Sequence, residues 1–344
     1  MLGGLLLIGA ALGCWALGLS RLRAWLVLAM VWLAMIPAYV LGERGVRGWL
    51  VIGLLGGAVF AYQSGLRWLR SKIPADPPAP APPEDQQMMT AAEIDRYARH
   101  LVLREIGGPG QMRLRQARVL VVGAGGLGAP ICLYLAAAGV GHITVMDGDR
   151  VSLSNLQRQV LFRSDQRGLL KAGAAADNMA ALNPHITVTA LTRPLDDGDQ
   201  DLIAAHDLVL DGTDSFATRA LVNRLCVAAG TPLLAGAIAQ WEGQVTLYDP
   251  ARGGPCLSCL FSEPPAPELV PACAEAGVVG ALPGVIGSQM ALEAIKHLTG
   301  AGQGLRGRML VYDGLYGESR MIGTQQRADC PICGSGLEEV AKAT

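Results

Sequence analysis

The sequence predicts an α/β fold built on a doubly wound, mostly parallel sheet with added antiparallel strands, preceded by about three membrane-spanning helices. Three observations carry that reading. Short apolar, β-branched runs alternate with stretches of helical period from residue 118 onward, a glycine-rich turn joins the first such run to the first such helix, and charge-free apolar stretches of spanning length lie before residue 67.

In chain order, residues 2–20, 24–41 and 49–66 are three uncharged apolar stretches. Each makes a helix of about 27 Å, near the thickness of a hydrocarbon core, so three transmembrane helices are expected. Trp15, Trp25, Trp49 and Trp68 lie near their ends, where interfacial anchors belong, and Pro37 is tolerable where neighbouring helices repair the backbone bonds. The start Met1-Leu2-Gly3-Gly4 lacks the positive region of a secretory signal. Arg21 and Arg23 fall on the same face as Arg67, Arg70 and Lys72, which the positive-inside rule makes cytoplasmic; Arg44 and Arg47, offset by Glu43, fall on the other. The expected location is therefore a bacterial inner membrane, crossed several times, with the remaining chain in the cytoplasm.

Residues 74–87 are rich in proline and alanine, carry three acids and offer no apolar face, which reads as an extended linker. The expected organisation is a membrane domain at 1–73, a linker at 74–89, one α/β domain at 90–336 and a short tail at 337–344. Charge divides at the same place. Seven basic residues and one acid through Ile73 give +6, which leaves −7 for the rest of a chain whose net charge is −1. An acidic domain without a basic, aromatic-interleaved patch argues against nucleic acid as a partner.

Residues 118–122 read as a buried strand that opens into Gly123-Ala124-Gly125-Gly126-Leu127-Gly128, and residues 129–138 continue as a helix. The glycines thus sit at a helix N-terminus, where free N–H groups and the dipole favour phosphate, and Gly123, Gly125 and Gly128 keep side chains out of the way. A second strand, 143–146, ends at Asp147, 24 residues after Gly123, where a carboxylate takes a ribose hydroxyl in Rossmann-like folds. These residues alone fit an NAD enzyme as well as an ATP enzyme. The polar run Ser154-Asn155-Leu156-Gln157-Arg158-Gln159 shifts the balance: hydride transfer has no use for a fixed cation and amides there, whereas splitting a triphosphate needs both. Lys171, at the head of the helical stretch 172–182, adds a second cation.

Strand-like 207–211 ends in Asp211-Gly212-Thr213-Asp214. Carboxylates at the C-terminal edge of a parallel sheet, opposite a phosphate-binding turn, are placed to hold Mg²⁺, although two acids at a strand end also make a solvated turn. Strands 186–191 and 232–235 alternate with helical 172–182 and 217–229, and 243–248 and 308–313 follow as antiparallel strands with helix 285–298 between them.

Of eight cysteines, Cys256 and Cys259 form one C-x-x-C pair and Cys330 and Cys333 a second, separated by 70 residues, with proline and glycine turns around each. That pattern suits a closed Cys₄ zinc knuckle, structural because four thiolates leave no open position; two redox dithiols are the rival reading. Cys273 sits in the proline-bearing, glycine-ended loop 267–277. Its nearest charge, Glu275, disfavours a thiolate, so a nucleophile and a small buried residue both remain open. Cys14, Cys132 and Cys226 read as core or lipid-facing residues, and the five histidines show no ligand spacing.

The glycine turn, the strand-end Asp147, SNLQRQ, Lys171 and LDGTD, in this order and with the cysteine tetrad, resemble the adenylyltransferases of the ubiquitin-activating-enzyme superfamily. Closest in pattern is the bacterial HesA/MoeB/ThiF group that activates sulfur carriers, and within it the molybdopterin-synthase adenylyltransferases. The resemblance runs from about Thr90 to Gly334, roughly 245 residues. It implies that the C-terminal glycine carboxylate of a small ubiquitin-like carrier, ending in Gly-Gly, attacks the α-phosphate of ATP and leaves an acyl-adenylate and pyrophosphate. Catalysis is then alignment plus electrostatic clamping.

By that similarity Gly126, Asp147, Ser154, Asn155, Leu156, Gln157 and Arg158 line the ATP site, Arg158 and Lys171 act on the phosphates and Asp214 holds Mg²⁺. Arg99 stands where the family supplies an arginine from the partner subunit of a homodimer, with Arg96 as competitor. Ser215 stands where the family usually carries asparagine, a shorter donor expected to tune the site and not to disable it. Cys273 matches a position where some relatives link covalently to the carrier. The resemblance points to the small subunit of molybdopterin synthase, hence molybdenum cofactor biosynthesis, with the thiamine-pathway carrier as the alternative. No rhodanese-like segment follows Gly336, so a separate persulfide donor is expected. Readings of another class are an NAD-dependent membrane oxidoreductase and a nucleotide-binding module without turnover.

Overall fold

Strand β1 (Arg118–Val122) is buried along Val119, Leu120, Val121 and Val122, and its side chains divide between two cores: Val119 and Val121 join one cluster, Leu120 and Val122 the other. Period-two alternation between two apolar layers is what a sheet covered on both faces demands. In the computed structural model, which describes residues 21–34, 36–37, 46–72, 88–263 and 277–334, eight strands form one sheet in the order β3-β2-β1-β4-β5-β6-β7-β8. The others are β2 (His142–Met146), β3 (Thr187–Leu191), β4 (Leu208–Asp211), β5 (Leu233–Ala239), β6 (Glu242–Tyr248), β7 (Arg308–Asp313) and β8 (Glu318–Gly323). Pairs from β3 through β5 are parallel, and β5 to β8 are antiparallel. The sheet is thus Rossmann-like and mixed. Chain order reverses between β1 and β4, the switch point where such sheets open a ligand crevice.

The chain divides into two units, Met1–Gln87 and Met88–Thr344. Helices of the first are α1 (Arg21–Ala34) and α2 (Val46–Lys72). Those of the second are α3 (Ala91–Arg96), α4 (Ala98–Leu101), α5 (Gly107–Gln116), α6 (Gly128–Ala138), α7 (Lys171–Leu182), α8 (Gln200–Ala204), α9 (Phe216–Ala229), α10 (Leu257–Leu260) and α11 (Ala281–Thr299). One core cluster takes its helix side chains from α5, α6, α7 and α11, among them Leu114, Ile131, Met179 and Met290; the other takes Ile203 from α8, Val222 and Leu225 from α9 and Leu257 from α10. Entry to the second unit is set by a capping box, in which the Thr90 hydroxyl accepts the Glu93 N–H and the Glu93 carboxylate accepts the Thr90 N–H.

The first unit corrects the membrane reading. Among the described residues no helix is long and apolar enough to cross a membrane. Helix α1 has 14 residues, so it reaches only about 21 Å. Helix α2 has 27, but Gly53, Gly56, Gly57, Tyr62, Gln63, Ser64 and Gly65 dilute its apolar run. The three transmembrane helices, the membrane partner and the multi-pass inner-membrane location therefore do not stand. Stretch 2–20 and the residues 74–87 read as a linker lie outside the described residues. Within this unit, Gly53 lets the two helices touch: a Cβ there would lie 2.2 Å from the Trp32 ring.

Candidate active site

The C-terminal ends of β1, β2, β4 and β5 open onto one cleft of about 1170 Å³. Its floor is the turn between β1 and α6. Gly123 has φ of +90°, and a Cβ there would press on Gly212 and Thr213 at 3.2 Å, so the turn and the loop after β4 approach as only glycine permits. Gly128 is tighter: its Cβ would lie 1.9 Å from the Gly123 carbonyl oxygen. Gly128→Ala is therefore expected to cost about 3 kcal/mol by forcing the turn open, measured as a fall in the urea midpoint. An unchanged midpoint would show that the turn yields freely.

Asp147 is fixed from two sides. One carboxylate oxygen accepts the Ala124 N–H of the glycine turn at 2.8 Å, and the other accepts the Asp149 N–H at 2.8 Å. Asp149 in turn receives the Lys171 ammonium at 2.8 Å, with Lys171 buried and Asp149 75% exposed. The lysine is thus presented on the cleft wall by a solvated carboxylate, through a chain that runs back to the turn. Arg158 lies across the glycines, its Cδ 3.7 Å from where a Gly126 side chain would begin. Its guanidinium donates to Asn155 Oδ1 at 3.0 Å and to the Ser154 carbonyl at 3.4 Å, so its own turn aims it.

Across the cleft, Asp214 is exposed and Ser215 caps α9, accepting the Thr218 N–H at 3.4 Å. Serine at this position has its oxygen committed to the helix. Asp211 at the end of β4 is buried; burial pushes its carboxyl up, while the Arg219 charge and two bonds from Thr213 oppose that rise. The far wall is made by Gln240, Trp241, Leu315 and Tyr316, with Gln240 held at φ of 44° at the β5–β6 hairpin.

The structure brings Gly123, Gly125, Gly126, Asp147, Asn155, Arg158, Lys171, Asp214 and Ser215 to the cleft lining. Gly128, Ser154, Leu156 and Gln157 are not part of it: Ser154 bonds Ser152, Leu156 packs on the main core, and Gln157 lies against Gly280. Among the lining residues that the sequence did not assign to the site are Asp149 and Arg219, while Gln159 was named only as part of the polar run. Asp149 was visible only as the second acid of Asp147-Gly148-Asp149. Gln159, nearly fully buried with Oε1 unpartnered among the described residues, closes the same polar run, and Arg219 looked like an ordinary helix residue. Arg99 is exposed on α4 and does not line this cleft, whereas Arg96 donates to the Leu182 carbonyl at 3.0 Å. Cys273 lies outside the described residues, as does Cys14.

The second centre is the cysteine tetrad. Cys256, Cys259, Cys330 and Cys333 place their sulfurs within 4.8 Å of one another, with Cys256 3.8 Å from Cys259 and 3.6 Å from Cys330, and Cys259 3.4 Å from Cys333. Sulfurs about 2.3 Å from one tetrahedral ion are separated by about 3.8 Å, so the set fits a metal. The Arg327 N–H donates to Cys259 Sγ at 3.4 Å, as suits a thiolate. Burial pushes Cys256 up and Cys333 to about 11, while at Cys330 burial is outweighed by the Ile332 and Cys333 backbone N–H groups, which bring it down to about 7. A divalent cation is what would let all four ionise together. The tetrad docks on α9: Val227 packs against it, and the buried Asn223 Oδ1 accepts the Leu257 N–H at 2.8 Å at the head of α10. Cys132 and Cys226 are core residues, and burial pushes Cys132 to about 12.

A profile of the ThiF family matches residues 97–332. The chain is 46% identical over 250 residues to the sulfur carrier protein adenylyltransferase of Thermus thermophilus, covering 71% of this chain and 92% of that protein. It is 45% identical over 249 residues to the SAMP-activating enzyme E1 of Haloferax volcanii, covering 72% and 92%. Among solved structures, E. coli MccB with ATP matches with a TM-score of 0.62 at 23% identity, over 69% of this chain and 74% of that one, a likeness of fold.

Proposed function

The chain belongs to the ThiF family and is an ATP-using adenylyltransferase, and on that footing we propose that it activates the C-terminal glycine of a ubiquitin-like sulfur-carrier protein. The observation that carries the reading is the cleft itself: Arg158 across the glycine turn, Lys171 held on Asp149 and Asp214 opposite, all beside a doubly anchored Asp147. Two fixed cations beside a helix N-terminus suit a triphosphate, and the NAD-dependent and non-catalytic readings give way.

The carrier carboxylate forms the new O–P bond at the α-phosphate, the bond to the β-phosphate breaks, and pyrophosphate carries the electron pair away. No proton need move. Asp147 receives the ribose hydroxyls, and Arg158 and Lys171 oppose the charge that grows on pyrophosphate. Mg²⁺, bound through Asp214, would supply further neutralisation there. Arg99 completes the cation set from the second subunit of a homodimer, a role for which its exposure suits it and from which the Arg96 bond to Leu182 removes the competitor. The tetrad holds Zn²⁺ structurally.

The preferred carrier is the small subunit of molybdopterin synthase, ahead of the thiamine-pathway carrier, with sulfur supplied by a separate persulfide donor. The purified chain is expected to exchange labelled pyrophosphate into ATP only with a carrier ending in Gly-Gly, and fastest with the molybdopterin-synthase subunit. No exchange with either carrier would sink the proposal; faster exchange with the thiamine carrier would reassign the substrate.

A further inference from the structure

Thr213, the residue before Asp214, has every polar group engaged. Its N–H and hydroxyl donate to Asp211 Oδ1 at 2.9 and 2.7 Å, and its carbonyl accepts Nε of Arg219 at 3.0 Å together with Nη2 of the same guanidinium. Nη2 also donates to the Gly236 carbonyl on β5 at 2.8 Å. Gly236 is itself wedged, since a Cβ there would lie 2.4 Å from Met290 Sδ of α11. On the other side of Asp214, Ser215 is committed to capping α9, the helix on which Arg219 sits one turn later. An exposed acid is thus mounted between two immobilised neighbours, and one guanidinium ties the mount to the sheet.

We propose that Arg219 is a positioning residue for Asp214: by bridging the Thr213 and Gly236 carbonyls it holds the Asp214 carboxylate at the place where it binds the divalent cation of the nucleotide. The proposal rests on the adenylylation reading. Its physical basis is that a metal-binding carboxylate must be held within a fraction of an ångström, which only a locked supporting shell achieves. The competing account is that Arg219 serves only to balance the buried Asp211 charge. Lysine separates the two, because it keeps the charge but replaces a planar fork with a single point.

The experiment uses the full chain as wild type, Arg219→Lys, Arg219→Gln, Asp214→Ala and the Arg219→Gln/Asp214→Ala double variant. ATP affinity is measured by calorimetry with and without Mg²⁺, and pyrophosphate exchange, with a sulfur carrier ending in Gly-Gly present, is followed against free Mg²⁺. We expect Arg219→Gln to raise the Mg²⁺ half-saturation by about tenfold and Arg219→Lys by several-fold, with Mg²⁺-free ATP affinity unchanged. In the Asp214→Ala background the same substitution should have no further effect on Mg²⁺-dependent affinity, because the two residues act as one unit. Equal Mg²⁺ dependence in wild type and Arg219→Lys, or losses that add in the double variant, would overturn the proposal. Should Arg219→Gln fail to fold, Arg219→Lys carries the test alone. A wild type that binds Mg²⁺-ATP but exchanges no pyrophosphate would count against the adenylylation reading, while calorimetry still decides the role of Arg219.

Discussion

Arg158→Ala is expected to lower pyrophosphate exchange by about 100-fold or more, with the melting temperature almost unchanged. Among the described residues the guanidinium makes its hydrogen bonds only within its own turn, to Asn155 and to the Ser154 carbonyl, so the fold loses little when it goes. What goes with it is a cation held over Gly126, where, in the proposed reaction, charge builds as pyrophosphate departs. A fixed charge contributes far more there than in water because no solvent must reorganise around it. Asp214→Ala should be equally severe for exchange and equally mild for stability, since Asp214 is exposed and its neighbours are held independently. Exchange within threefold of wild type for either variant would remove that residue from the reaction.

Cys330→Ala is expected to cost as much stability as Gly128→Ala and to change metal content as well. The segment around Cys330 is a short turn closed by the Cys330 N–H to Arg327 and the Gly334 N–H to Cys330, with little apolar surface of its own. Ligation of one ion by all four sulfurs would therefore be the main tie between it and the Cys256–Cys259 pair. Structural zinc supplies on the order of 10 kcal/mol in small fingers. Losing one ligand of four in a larger domain should cost about 3 kcal/mol and lower the melting temperature by roughly 10 °C. Metal content, measured on the purified chain, should fall from one ion to near zero. Full retention of the ion would mean that the tetrad is not its site.

The parts of this molecule that could be read in advance are those whose physics is local. A strand of four buried aliphatics, a glycine turn and a strand-end acid each declare themselves within a few residues, and the cysteines declare themselves by identity. Strand β8 could not be seen, because all six of its residues are exposed and carry no alternation. Within Ser154 to Gln159 the sequence offers no period to follow: the chain there is a 3₁₀ turn and loop, so Gln157 turned outward onto Gly280 while Gln159 turned in. Asp149 and Lys171 meet across 22 residues, and Arg219 reaches backbone carbonyls, a kind of partner that composition does not reveal. The membrane reading failed for a related reason. An uncharged apolar run measures hydropathy, whereas a crossing needs that hydropathy to persist along an unbroken helix, and α1 is too short and α2 too glycine-rich.

Helix α9 is about 21 Å long and belongs to both centres. Its first turns carry the Ser215 cap and Arg219 at the cleft, and Asn223 and Val227, four and eight residues beyond Arg219 on the same face, grip the head of α10 and the cysteine cluster. A shared rod makes ligand binding at its two ends reciprocal: whatever factor the ion adds to nucleotide affinity, bound nucleotide returns to ion affinity. With an ion on the four sulfurs, a change in its chelator resistance on nucleotide binding would measure any coupling carried by α9, readable without turnover.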